Sequence, residues 1–226
     1  MTYSVPFSAV PGVYDSLAGP RTRYPERFFE AHNRPPRTVL HFYLAATEGV
    51  STRRLRVWRR GGGLAIALES KRVVREDALS IEKEEITENP DLTLQHAAGI
   101  LSADASVISS FIKNKYRFKL QSASGLLKVS LDQMLPFQAD DPALLGSQFW
   151  HLEIEEAGGW PLSDFHETAF FLNHLAHLPP LRQSKWQLAM TTGPVRIGTS
   201  AAKHLPEYFS ELLAKGERER LAVRHS

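Results

Sequence analysis

Five short segments of this chain alternate, residue by residue, between apolar and ionic side chains. Residues 53–60 place Arg54, Arg56, Trp58 and Arg60 on one side of an extended strand. Residues 64–71 place Glu69 and Lys71 beside Ala65 and Ala67. Residues 113–120 set Lys113, Lys115, Arg117 and Lys119 opposite Tyr116, Phe118 and Leu120. Residues 126–132 set Lys128, Ser130 and Asp132 opposite Leu127, Val129 and Leu131, and residues 151–156 set His151, Glu153 and Glu155 opposite Leu152 and Ile154. Successive side chains of a strand point to opposite faces. The pattern therefore asks for a sheet with one apolar and one ionic face.

An antiparallel sheet with one face in water meets that demand, with cross-strand ion pairs on the wet side. Two features argue for more. The ionic faces are almost entirely Arg, Lys and Glu, whereas a solvated face usually mixes in Thr, Ser, Gln and Asn. Amphipathic helices are also present to cover the apolar faces, so in a closed sheet the ionic faces would point at one another. A ring of Arg and Lys holds a polyanion through charge-assisted hydrogen bonds. Acidic pairs in the same ring suit a hard divalent cation such as Mg²⁺ or Mn²⁺.

The rest of the chain supplies the elements. Val39–Ala46 reads as a strand, and Gly61-Gly62-Gly63 as the turn of a hairpin between 53–60 and 64–71. Ser80–Thr87 reads as a further strand, and Gln148–Glu155 as another. A second hairpin joins Lys115–Gln121 to Leu126–Asp132 across Ser122–Gly125. Leu92–Leu101, Ser106–Lys113, Leu162–Leu178 and Pro206–Arg220 read as helices, Leu162–Leu178 with apolar residues at helical spacing. Asn33–Pro36 and residues 136–147 read as loops. The expected class is α+β, an antiparallel β-barrel with helices packed outside. Residues 1–23 read as an irregular N-terminal arm, 24–190 as the barrel domain and 191–226 as a helical extension.

Composition removes several classes. There is no cysteine, so disulfides and thiolate metal sites are excluded. Neither a signal-peptide pattern nor an apolar run of about 18–20 residues is found, which points to a cytoplasmic protein without a membrane span. A net charge of +2 is too small to argue for nucleic acid. The glycine run lacks the Lys-Ser/Thr of a phosphate-binding P-loop. His166, His174 and His177 lack a carboxylate at fixed offset and read as surface or capping residues rather than a zinc site.

The segments resemble the triphosphate tunnel metalloenzymes, which include the CYTH domains and the VTC-type polyphosphate polymerase domains. RRLRVWRRGGGLAIALESK looks like their Arg-x-Arg strand, turn and Glu-x-Lys strand. KYRFKLQSASGLLKVSLDQM resembles their basic strand followed by a strand ending in Leu-Asp, and HLEIEE resembles their acidic strand. RQSKWQLAM looks like the Ser-Lys-Tyr segment that closes the VTC-type domain. The agreement in order runs over residues ~24–190.

The resemblance implies a tunnel that binds triphosphate, nucleoside triphosphate or inorganic polyphosphate with a divalent metal. It places Arg54, Arg56, Lys71, Arg117 and Lys128 on phosphate in catalytic roles, with Lys115 and Lys185 as further phosphate contacts. It places Glu153 or Glu155 on the metal, with Glu69 and Glu26 as further acidic ligands. In the segment IEKEE either Lys83 or Glu85 would point inward. The chain departs from the family at its opening strand. There the Glu-x-Glu-x-Lys pattern is reduced to Glu26, and Phe28 stands where lysine is expected. Glu155 follows the CYTH rather than the VTC branch. Three readings result: a phosphohydrolase or polyphosphate polymerase, an inactive phosphate-sensing module, and an open sheet with solvated ion pairs.

Overall fold

The computed structural model describes residues 2–18, 30–45, 52–76, 82–102, 107–122, 125–138, 141–144, 148–156, 178–179 and 204–221. Nine strands are defined: β1 Thr2–Val5, β2 Glu30–Leu44, β3 Thr52–Arg60, β4 Gly63–Glu76, β5 Glu82–Asn89, β6 Val107–Ser122, β7 Gly125–Gln138, β8 Asp141–Leu144 and β9 Phe149–Glu156. The helices are α1 Val10–Ala18, α2 Leu94–Ser102 and α3 Leu205–Arg218. The strand order is β1-β9-β7-β6-β2-β3-β4-β5, with β8 paired to β7. Every pairing with a defined register is antiparallel. The class is thus α+β with an antiparallel sheet, whose path among the described residues ends at β1 on one side and β5 on the other. Among the described residues, no helix is long and apolar enough to cross a membrane.

The chain divides into two compact units. The first comprises Met1–Arg37, Lys115–Gln133 and Phe149–Arg182, and the second Thr38–Asn114, Met134–Gln148 and Gln183–Ser226. In the second unit, β2, β3 and β4 form a meander. Gly61 and Gly62, at φ 57° and 84°, make the two-residue turn between β3 and β4. Two successive positive φ values match the strand twist in a tight hairpin, and glycine adopts them without a Cβ penalty.

One face of this meander carries Leu40, Phe42, Leu44, Leu55, Val57 and Ile66, all buried in a core with Ala97 and Leu101 of α2 and Phe209, Leu212 and Leu213 of α3. The buried residues of α3, Leu205, Tyr208, Phe209, Leu212, Leu213 and Gly216, recur at three- and four-residue steps, which lays one stripe on the sheet. Pro206 and Glu207 in the first turn, and Lys215 and Arg218 in the last, suit the backbone and dipole at each end. Thr38 Oγ1 donates to Asn114 Oδ1 at 2.6 Å and accepts from Arg220 Nε at 2.9 Å, while Asn114 Nδ2 donates to the Gly216 carbonyl at 2.8 Å. These bonds tie α3 to β2 and β6.

In the first unit, β1 pairs with β9, Tyr3 opposite Leu152 and Val5 opposite Trp150. Helix α1 buries Val10, Val13 and Leu17. Its Tyr14 meets Tyr116 and Phe118 edge-on at 5.9 and 5.5 Å.

Four sequence expectations are corrected. Residues 2–18 are not an irregular arm, because alternating Tyr3 and Val5 pair with β9 and an amphipathic turn follows. Residues 107–113 are strand, not helix, since Val107, Ile108, Phe111 and Ile112 favour extended backbone and β6 runs unbroken through them. Asn33–Pro36 lies inside β2, where the fixed φ of Pro35 and Pro36 is compatible with extension. The segment read as a loop at 136–147 extends β7 to Gln138 and adds β8, with Phe137 opposite Leu144. The expected helix at 162–178 lies almost wholly outside the described residues.

Candidate functional site

The second unit gathers its ionic residues in a cross-strand row. The registers place Tyr43 opposite Arg54, Arg54 opposite Glu69, and Glu69 opposite Glu88. A second row places His41 opposite Arg56 and Arg56 opposite Ala67. All belong to one face, because each is separated by an even number of residues from its neighbour on the same strand.

Glu69 is the centre of the arrangement. It is only 4% exposed, yet it pairs with two guanidiniums, Arg54 Nη2 and Arg56 Nη1, the latter at 3.3 Å. Arg54 Nη1 donates to the Tyr43 hydroxyl at 2.9 Å. Arg56 Nη2 pairs with Glu88, which is 41% exposed. The Arg56 guanidinium also lies 5.6 Å from the Trp58 ring centroid, and that of Arg54 5.7 Å from Tyr43. His41 stacks on Phe111 at 5.1 Å, and Tyr43 meets Phe111 at 5.5 Å.

This face is not a solvated surface. His41, Tyr43, Glu69, Ser109, Phe111 and Lys113 are all buried. The apolar residues of the opposite face, Leu55, Val57 and Ile66, are buried as well. Enclosing two arginines and a glutamate is costly unless they are paired, and here both guanidiniums pair with Glu69. Arginine suits such a place because its planar fork binds bidentately and is more weakly hydrated than an ammonium.

The first unit has its own ionic face. Lys115, Arg117 and Lys119 on β6 are half-buried, whereas Tyr116, Phe118 and Leu120 between them are buried. Lys115 Nζ lies 3.8 Å from Glu153 Oε2 on β9. Burial, and then the like charge of Arg34, push the Arg117 guanidinium below its usual pKa. Arg117 Nε is buried with no hydrogen-bond partner among the described residues. Asp132 and His151 are buried on β7 and β9.

The structure thus brings together Arg54, Arg56 and Glu69 in one unit, and Lys115 with Glu153 in the other. Lys128 and Glu155 are exposed. Lys71 lies in β4 opposite Thr52 and Ile86 in register. Glu26 and Lys185 lie outside the described residues. Sequence reasoning missed His41, Tyr43, Glu88 and Arg34. Splitting the 39–46 strand into its two faces would have found His41 and Tyr43, since they share parity.

No family model matches the chain, and no curated protein matches it. Solved structures do. The Hippeastrum protein HpAC1, described with a dominant triphosphatase activity, superposes with a TM-score of 0.53 at 11% identity, over 86% of this chain and 96% of that one. The PH1012 protein of Pyrococcus horikoshii gives 0.50 at 11% identity, over 84% and 97%. A conserved hypothetical protein of Pyrococcus furiosus gives 0.50 at 9% identity, over 83% and 96%. The chain therefore shares the fold of these proteins, among them the one described with triphosphatase activity.

Proposed function

We propose that this chain binds and acts on a triphosphate-containing ligand, whether inorganic triphosphate, nucleoside triphosphate or polyphosphate, on the basic strand faces of its antiparallel sheet. One observation carries the proposal: an arginine pair, Arg54 and Arg56, on a largely enclosed sheet face, held in place by a buried carboxylate. The triphosphatase activity described for HpAC1, which shares the fold, supports it. A solvated ion-pair face would not bury Glu69, Lys113 and His41.

In this reading Arg54 and Arg56 grip phosphate oxygens, and Arg117 and Lys115 do the same in their own unit. Lys71, Lys128 and Lys185 add cationic contacts. Fixed positive charge aimed at the transferring phosphoryl group stabilises charge spread over its oxygens, which is the main demand of phosphoryl transfer. Glu153 and Glu155, two residues apart on one face of β9, offer hard oxygen donors suited to Mg²⁺ or Mn²⁺, with Glu26 as a further candidate. Glu69 fits that role poorly, because two guanidiniums already occupy its carboxylate. A bound divalent cation would supply further neutralisation of the phosphate oxygens.

A second reading, binding without turnover, rests on Phe28, which stands where the resembling family carries lysine. Both readings are tested by melting the purified protein with tripolyphosphate, with and without Mn²⁺, and by measuring phosphate release. Ligand that binds the native state raises the melting temperature by mass action. A rise with phosphate release supports an enzyme. A rise without release supports a sensor. No rise with tripolyphosphate or long-chain polyphosphate overturns both.

A further inference from the structure

We infer that Glu88 is an internal competitor for phosphate at Arg56, a carboxylate that occupies the arginine until the ligand displaces it. The inference rests on the phosphate-binding reading above and names how that site is regulated.

The two acidic partners of Arg56 differ in kind. Glu69 is 4% exposed and holds Arg54 as well, so it cannot leave without breaking two ion pairs. Glu88 is 41% exposed and, among the described residues, pairs with Arg56 alone, through Nη2. An ion pair that open to water adds little stability, and its partner is easily exchanged.

The guanidinium geometry identifies what Glu88 blocks. Glu69 takes the Nη1 side of Arg56, at 3.3 Å. The other edge of the fork is formed by Nε and Nη2, two parallel donors of the kind that bind phosphate bidentately. Glu88 holds Nη2, whereas the Arg56 Nε is buried with no hydrogen-bond partner among the described residues. One half of a bidentate edge is thus filled by a displaceable carboxylate and the other half is unfilled. A phosphate presenting two oxygens satisfies both donors once Glu88 swings out. Glu88 lies opposite Glu69 in the β4–β5 register, which fixes its backbone position, while its side chain is 41% exposed to water.

The test measures tripolyphosphate affinity by calorimetry in the full chain, in Glu88→Gln, Arg56→Ala, the double variant, and Asp91→Asn. Asp91 is an exposed acid near the end of the same strand, paired with Arg60 at 3.5 Å. It controls for the loss of one negative charge. The expected result is about two- to five-fold tighter binding for Glu88→Gln, the gain given by removing a competing exposed pair. That gain should vanish when Arg56 is absent and should not appear in Asp91→Asn. Unchanged or weaker binding by Glu88→Gln, with the wild type still binding, overturns this inference alone. So does a gain that persists without Arg56 or is matched by Asp91→Asn. Absence of binding in every variant, Glu88→Gln included, overturns the phosphate reading itself.

Discussion

Glu69 faces Arg54 directly across β3 and β4, and its buried carboxylate also holds Arg56, which is two residues along the same strand. Two guanidiniums are thereby kept side by side by one anion. Without it they would repel each other within a poorly solvated face. The arrangement is a scaffold for two cations, built from the register of a single hairpin.

Glu69→Gln should therefore destabilise the protein, by about 2–3 kcal/mol in urea unfolding, because the shared anion of a buried network is removed, which takes a carboxylate from Arg54 and leaves Arg56 only the exposed Glu88. Tripolyphosphate should return more stability to this variant than to the wild type, since phosphate would replace the missing anion. The comparison is the ligand-induced shift in melting temperature of each protein. An equal shift would mean that phosphate binds away from the arginine pair.

Gly216→Ala tests the docking of α3. A Cβ there would lie 2.4 Å from Ile112 Cγ2 and 2.9 Å from Thr38 Cγ2. Alanine ordinarily gains about 1 kcal/mol over glycine inside a helix. Overpacking costs about 1–3 kcal/mol. Here the overpacking term should win, because Thr38 is locked by its bonds to Asn114 and Arg220. Chemical denaturation should show a net loss, and a gain would mean that the helix end shifts freely.

Much of the ionic face was legible because strand alternation is a local property. Arg54, Arg56 and Glu69 were placed on one face by parity alone, and the hairpin that aligns them was announced by its glycines. Partner choice was not legible. That Glu69 takes both arginines while Glu88 takes only one depends on cross-strand register and burial, which no single segment encodes. The loop reading at 33–36 and the helix reading of residues 107–113 failed for a more local reason. Pro35 and Pro36 punctuate a sequence but tolerate extension, and Ser109, Ser110 and Asn114 mask the strand preference of Val107, Ile108, Phe111 and Ile112 beside them.

Tyr3 offers a test by pH. Burial raises its phenol above the ordinary value near 10. A group whose folded pKa is raised keeps its proton longer in the folded state. Stability is therefore fully present below about pH 10 and declines as pH rises beyond it. Lysines titrate in the same range, so the informative quantity is the difference between proteins. Tyr3→Phe should show a shallower alkaline loss than the wild type in urea unfolding between pH 8 and pH 11, two values chosen to bracket the phenol's titration at about 10. Parallel curves would mean that Tyr3 does not titrate there.

Arg117 separates binding from stability. Its guanidinium is half-buried, faces the like charge of Arg34, and keeps a buried Nε without a partner among the described residues. Such a group burdens the unliganded fold, and an anion would relieve it. Arg117→Met retains most of the volume and removes the charge. Unliganded stability should stay the same or rise by up to about 1 kcal/mol. Tripolyphosphate affinity should fall about ten- to hundred-fold, the scale of a lost charge-assisted hydrogen bond. Lys128, exposed on β7, should behave otherwise. Lys128→Met should lower affinity only a few-fold, and added salt should erase that difference while leaving the Arg117 effect largely intact. If Arg117→Met loses stability but keeps affinity, the arginine serves the fold and the anion site lies elsewhere.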